Sequence, residues 1–178
     1  DRLDEQIVDE LMRGLATAAT ASGITVSGGE IAELGERVGG WGRRMHFNWC
    51  ATALGVFAGE PMDGSRVGVG DAVVALRERG FRSNGFSRLR AILSDALGSD
   101  WHEARFDSRT WGELLLTPSM VCAPLVTRLV GEGVALHGVA HVTGGGIPDK
   151  LARVLRPTGL GATLAELFPP SDFMLAAQ

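Results

Sequence analysis

Layered α/β or α+β architecture is the fold class this sequence predicts, and three observations carry the expectation. Apolar stripes with helical spacing recur along the chain, short apolar runs alternate with them, and glycine-rich turns stand where one kind of segment gives way to the other. Strands alternating with helices exclude a helix bundle and a β-sandwich. A length of 178 residues accommodates one full core, or one domain with part of a second.

The elements follow in order. Ile7, Leu11 and Leu15, with Val8 and Ala18 beside them, form the stripe of an amphipathic helix that Gly23 terminates. Ile24-Thr25-Val26 reads as a short strand running into the turn Ser27-Gly28-Gly29-Glu30. Residues 35–44 are a glycine-rich, basic loop, and residues 45–58 a long strand or hairpin with Phe47, Trp49 and Ala51 on one face. The turn Pro61-Met62-Asp63-Gly64-Ser65 marks a domain boundary, dividing residues 1–60 from 61–178. Residues 72–76 suit a buried parallel strand. Phe86, Leu89, Ile92, Leu93 and Leu97 make a second helical stripe closed by Gly98, and residues 99–111 read as irregular and polar. A helix is expected over 120–130, with Pro124 in its first turns, and a strand over 134–142 enters Thr143-Gly144-Gly145-Gly146. Pro148 opens a helix through Leu155, residues 161–164 suit one more short strand, and a helix begins after Pro169-Pro170. Beginning at Asp1 and stopping within that last helix, the chain reads as cut at both ends.

Composition narrows the function classes. With 45% hydrophobic and 21% charged residues the chain reads as a soluble globular protein. A net charge of −4 with scattered arginines argues against a general nucleic-acid binder, because phosphate backbones need a basic patch. Cys50 and Cys122 are far apart, with no metal-ligand spacing, and are expected as buried, reduced thiols. There is no charged-then-apolar leader and no run of roughly 18 apolar residues, so neither export nor membrane insertion is indicated and the cytoplasm is the expected location.

Three turns carry candidate chemistry. Gly144, Gly145 and Gly146 precede a helix, where exposed backbone N–H groups and the positive end of the helix dipole suit phosphate; His141 and Thr143 add side-chain donors. The same turn also reads as a tight strand-to-helix connection, and it lacks the Lys-Ser/Thr ending of a Walker A loop. Ser83-Asn84-Gly85 opens a helix too, so its side chains serve either as caps or as ligand contacts. Glu30 follows a glycine turn, where a carboxylate either holds Mg²⁺ against substrate phosphates or stands solvated. His46, His102 and His137 are isolated in sequence and read as structural or surface residues.

Taken in order, Ser27-Gly28-Gly29-Glu30-Ile31-Ala32-Glu33-Leu34, Arg82-Ser83-Asn84-Gly85-Phe86-Ser87 and Ala140-His141-Val142-Thr143-Gly144-Gly145-Gly146 resemble three signatures of the aminoimidazole ribonucleotide synthetase family. Leu115-Leu116-Thr117-Pro118 and Arg153-Val154-Leu155-Arg156-Pro157 extend the likeness over nearly the whole chain. The resemblance implies an α+β fold of that family's layered type. Residues 1–60 would be the end of an N-terminal ATP-binding domain and residues 61–178 most of the C-terminal one. It implies an ATP-dependent ligase that cyclises formylglycinamidine ribonucleotide to aminoimidazole ribonucleotide, releasing ADP and phosphate. By residue, it implies Glu30 in the Mg–ATP site, His141 and Asn84 as catalytic candidates, and Ser83, Asn84, Gly85, Thr143, Gly144, Gly145 and Gly146 around substrate or phosphate. It further implies a homodimer joined around residues 45–58, and that this segment alone does not complete the reaction. Two departures bear on substrate: the family usually has His where this chain has Arg82, and Thr where it has Ile31. The alternatives are another ATP-dependent phosphoryl-transfer enzyme of the superfamily, or a non-catalytic nucleotide-binding or assembly protein that kept the fold.

Overall fold

The structure, a computed structural model, describes residues 3–40, 44–57 and 59–178. Within them are six α-helices, α1 (Glu5–Ser22), α2 (Phe86–Leu97), α3 (Trp111–Leu115), α4 (Ala123–Gly131), α5 (Gly146–Leu155) and α6 (Asp172–Ala176). A hairpin of two-residue strands, β1 (Arg105–Phe106) and β2 (Arg109–Thr110), stands between α2 and α3. Two compact units form: Asp1–Glu60 with Val121–Gly133, and Pro61–Met120 with Val134–Gln178.

In the first unit, α1 starts because the Asp4 carboxylate accepts the Ile7 N–H, satisfying one of the free amides of the first turn. It stops at Gly23, whose left-handed conformation turns its N–H back to the carbonyls of Ala19 and Thr20. Ile7, Val8, Leu11 and Leu15 are half-buried and Ala19 is buried, so the inward stripe ends on Ala19 rather than the expected Ala18, which is exposed. Helix α4 packs against α1. Pro124 lies in the opening residues of α4, where its missing N–H costs no hydrogen bond, so it begins the helix instead of breaking it. Arg44 pairs with Asp4 at 2.5 Å and Leu3 N–H reaches Glu33 at 3.0 Å, tying the loop to the start of α1.

The second unit holds the larger core. Leu93 of α2, Trp101, Ala177, and Trp111, Leu114 and Leu115 of α3 are buried together, flanked by Phe81, Phe86, Leu89, Ala104, Phe106 and Phe173. Helix α3 was not foreseen, yet it has a local cause. Thr110 accepts the Glu113 N–H at 3.1 Å while the Glu113 carboxylate accepts the Thr110 N–H at 2.7 Å, a reciprocal capping box that starts the helix and delivers Trp111 to the core. Because α2 is anchored through Leu93, its N-terminal approach, which carries Ser83-Asn84-Gly85, is held in place.

The expected strands are where the structure departs from the sequence reading. Among the described residues only β1 and β2 form a ladder. Segments 24–26, 72–76, 134–142 and 161–164, and the described part of 45–58, are irregular. Residues 41–43 of the loop expected at 35–44, and residue 58, lie outside the described residues. Apolar alternation reports which side chains want burial; a strand also needs a hydrogen-bonded neighbour, which no local pattern supplies. At Val134 the backbone turns on itself, the Leu136 N–H donating to the Val134 carbonyl at 2.9 Å, which takes both groups out of any ladder there. Large apolar residues in these segments stand in solvent, among them Leu54 at 97% and Val56 at 99% exposure. Cys50, expected to be buried, is exposed for the same reason, and Cys122, expected to be buried too, is half-buried.

Candidate functional site

The glycine turn that opens α5 is shaped by one backbone conformation. Gly145 sits at φ 89°, a left-handed geometry that side chains disfavour, and Gly85 repeats it at φ 91° where α2 begins. Neither helix start has a side-chain cap. The capping alternative for Ser83 and Asn84 is therefore not what the structure shows: Gly85 takes the N-cap position and leaves both polar side chains outside the helix. The Gly146 N–H closes the turn onto the Thr143 carbonyl at 2.9 Å, so one of the three glycine amides is spent internally.

The two helix starts meet. A methyl group in place of the Gly144 α-hydrogen would lie 3.8 Å from Asn84 Nδ2, which sets the Asn84 amide beside the glycine turn. His141, three residues before Gly144, is joined to the residue before Ser83: Arg82 Nη2 and His141 Nε2 are 2.6 Å apart. Ser83, Asn84, Gly85, His141, Gly144 and Gly145 are exposed, and Thr143 and Gly146 half-buried. The Asn84 carboxamide thus stands beside the Gly144 turn, and His141 is tied through Arg82 to the segment that carries Ser83 and Asn84.

Charge near these helix starts is arranged in ion pairs. Arg82 pairs with Glu78 at 2.6 Å. Burial alone pushes the Glu78 carboxyl up, but the Arg79 amide, the Arg82 guanidinium and the Met120 amide together hold it below its ordinary value. Asp149, in the first turn of α5, is held below its ordinary value by Lys150 at 2.8 Å and, against the cost of desolvation, by Arg153 at 2.9 Å. Its negative charge complements the helix dipole. In the sequence Arg82 stands out only as a departure from the family's pattern, and Glu78 carries no signal. Their link is the four-residue spacing of an acid and an arginine, legible in principle but uninformative without the fold.

Glu30 belongs to the first unit. It is exposed, and no group of three or more metal-ligating side chains occurs among the described residues. A lone carboxylate fits Mg²⁺ of the kind that keeps its waters and leans on substrate phosphates, not a metal caged by protein alone. Of the histidines read as structural, His137 Nδ1 meets Asp71 Oδ2 at 2.7 Å, while Arg66 donates to the neighbouring Leu136 carbonyl at 3.2 Å. Both bonds fasten the loop after Gly64 onto the segment leading to His141. An apolar groove of about 720 Å³ runs between α5 and residues 159–167, lined by Leu151, Leu155 and Leu164 among others, and none of the candidate site residues lines it.

Comparison with known proteins follows the same segments. Residues 68–176 match the family described as AIR synthase related protein, C-terminal domain. A phosphoribosylformylglycinamidine cyclo-ligase from Sorangium cellulosum is 38% identical over 166 residues, covering 92% of this chain and 46% of that protein. Proteins of the same name from Synechococcus elongatus and Gloeobacter violaceus are 32% and 36% identical, covering 88% and 86% of this chain and 45% and 44% of their own lengths. The chain thus spans about half the length of the curated relatives it matches. No solved structure matches it.

Proposed function

This chain belongs to the AIR synthase related protein C-terminal domain family, and from that premise we propose that it is part of an ATP-dependent cyclo-ligase of purine biosynthesis. The reaction converts formylglycinamidine ribonucleotide to aminoimidazole ribonucleotide. ATP phosphorylates the formamide oxygen and leaves as ADP; the amidine nitrogen then attacks the activated carbon, the C–O bond breaks and phosphate departs. The observation that carries the reading is the meeting of Asn84 with the Gly144–Gly145 turn at the start of α5, because the reaction's every step moves or binds phosphoryl oxygens.

In this reading the chain's own residues bind and orient. The Gly144 and Gly145 amides and the α5 dipole hold a phosphoryl group, Thr143 and Ser83 supply hydroxyl donors, and Gly85 and Gly146 shape the two helix starts that let the ligand approach the backbone. Asn84 and His141 touch the reacting group and stabilise its developing charge. Glu30 would offer one carboxylate to Mg²⁺, which would neutralise phosphate charge. The fold is the layered α+β type, with a domain boundary between residues 60 and 61. The exposed apolar residues of segment 45–57 are covered by a second subunit of a homodimer, and the enzyme is cytoplasmic. Among the described residues no helix is long and apolar enough to cross a membrane. The partners are ATP and a ribonucleotide, not nucleic acid.

The test is ADP release by the full-length protein supplied with formylglycinamidine ribonucleotide, Mg²⁺ and ATP. ADP and aminoimidazole ribonucleotide should form in equal amounts, and Asn84→Ala should suppress both. ADP release independent of the ribonucleotide, or none at all, refutes the assignment.

A further inference from the structure

Arginine carries N–H donors and no acceptor. The 2.6 Å contact between Arg82 Nη2 and His141 Nε2 is therefore a hydrogen bond only when Nε2 accepts, which puts the hydrogen of the ring on Nδ1. The other end of the guanidinium is fixed: Nη1 meets Glu78 Oε2 at 2.6 Å. Glu78 is fixed in turn by the Arg79 amide at 2.9 Å and the Met120 amide at 3.2 Å. The Arg82 and Glu78 side chains are only 29% and 22% exposed, whereas His141 is exposed. An exposed imidazole would otherwise exchange tautomers and turn about its side-chain bonds. Here a braced cation holds one ring nitrogen.

We propose that Arg82 is a positioning residue that locks His141 in the Nδ1–H tautomer, so that Nδ1–H is the donor the ring offers to a phosphoryl oxygen of the ligand. Tied to Glu78 through Nη1 and to His141 through Nη2, Arg82 acts through His141. The identity of that ligand rests on the functional reading above; the tautomer does not.

The experiment is a long-range proton–nitrogen correlation spectrum of the full-length protein carrying ¹⁵N-histidine. This chain contributes four histidines, and His141 is identified by the signal that vanishes in His141→Gln. Nε2 of His141 should appear as the unprotonated, pyridine-type nitrogen and Nδ1 as the protonated one. In Arg82→Ala the pattern should move toward the Nε2–H form that an unconstrained imidazole favours. A hydrogen on Nε2 in the unsubstituted protein overturns the proposal, and that reading does not depend on the folding of Arg82→Ala; an unchanged pattern in a folded Arg82→Ala overturns it too. Kinetics give the second readout. Arg82→Ala should lower kcat/KM roughly tenfold alone and cause no further loss when His141 is already Gln, the non-additivity expected of contacting residues. Arg82→Lys, also a pure donor, should recover part of the loss. An equal loss in both backgrounds would mean that Arg82 acts on the ligand directly. If the protein forms no ADP with this substrate, the functional reading fails while the spectrum still decides the tautomer.

Discussion

Replacing Gly144 and Gly145 separately with alanine should split binding from stability. At Gly144 the added methyl would find Asn84 Nδ2 at 3.8 Å, an ordinary contact, so Gly144→Ala should change stability by no more than about 0.5 kcal/mol. That methyl nevertheless fills the space between the Asn84 amide and the glycine turn, where a phosphoryl oxygen is proposed to sit. Losing one hydrogen bond to a charged group costs about 1.5–3 kcal/mol, which is roughly 10- to 150-fold in Kd. At Gly145 the methyl meets Asp149 Oδ2 at 2.6 Å and its Cβ at 2.8 Å, with φ at 89°. Forcing a side chain into that backbone conformation costs about 1–3 kcal/mol, and Asp149 must also swing away from Lys150 and Arg153. A domain of this size loses about 2–4 °C in Tm per kcal/mol. Calorimetric unfolding and isothermal titration of formylglycinamidine ribonucleotide measure the two quantities. Equal destabilisation by both substitutions, or unchanged affinity in Gly144→Ala, would refute the geometry of the turn.

Further outcomes follow from other parts of the molecule. Thr110→Ala removes the hydroxyl that starts α3 and should lower stability by about 1 kcal/mol, read from chemical denaturation. Asp71 is held below its ordinary value of 3.8 by the Gly68 amide and then by His137. Its stabilisation is therefore present above pH 3.8 and is lost as pH falls below it toward the lowered folded value; acid-unfolding curves of Asp71→Asn should lack that part of the transition. Glu30→Gln should lower Mg–ATP turnover while leaving the melting temperature unchanged, since it removes charge with almost no change in shape. Normal turnover would exclude Glu30 from the metal site, and unfolding would make its role structural.

Helices were largely legible in the sequence because their causes are local. The stripe from Ile7 to Leu15 and the stop at Gly23, or the stripe from Phe86 to Leu97 and the stop at Gly98, need no distant partner to be recognised. Helix α3 was equally local, since Thr110 and Glu113 stand at capping-box spacing, but the surrounding polar residues hid the signal. Strands failed for the opposite reason. Residues 72–76 and 134–142 are apolar, valine-containing segments, yet what completes a strand is a neighbour that the sequence does not name. The turns at 83–85 and 143–146 stood out separately in the sequence. What sequence did not reveal was that Gly85, not Ser83 or Asn84, begins α2, which leaves Asn84 facing Gly144, or that Arg82 reaches His141 across 59 positions.

The most direct test of the phosphoryl site is to titrate formylglycinamidine ribonucleotide into ¹⁵N-labelled full-length protein and follow individual amide resonances. The Gly144 and Gly145 backbone amides and the Asn84 side-chain amide should shift together along one saturable binding curve, because all three are proposed to donate to the same phosphoryl group. Saturable binding that leaves these three unmoved, with the shifts confined instead to the apolar groove between α5 and residues 159–167, would contradict the account.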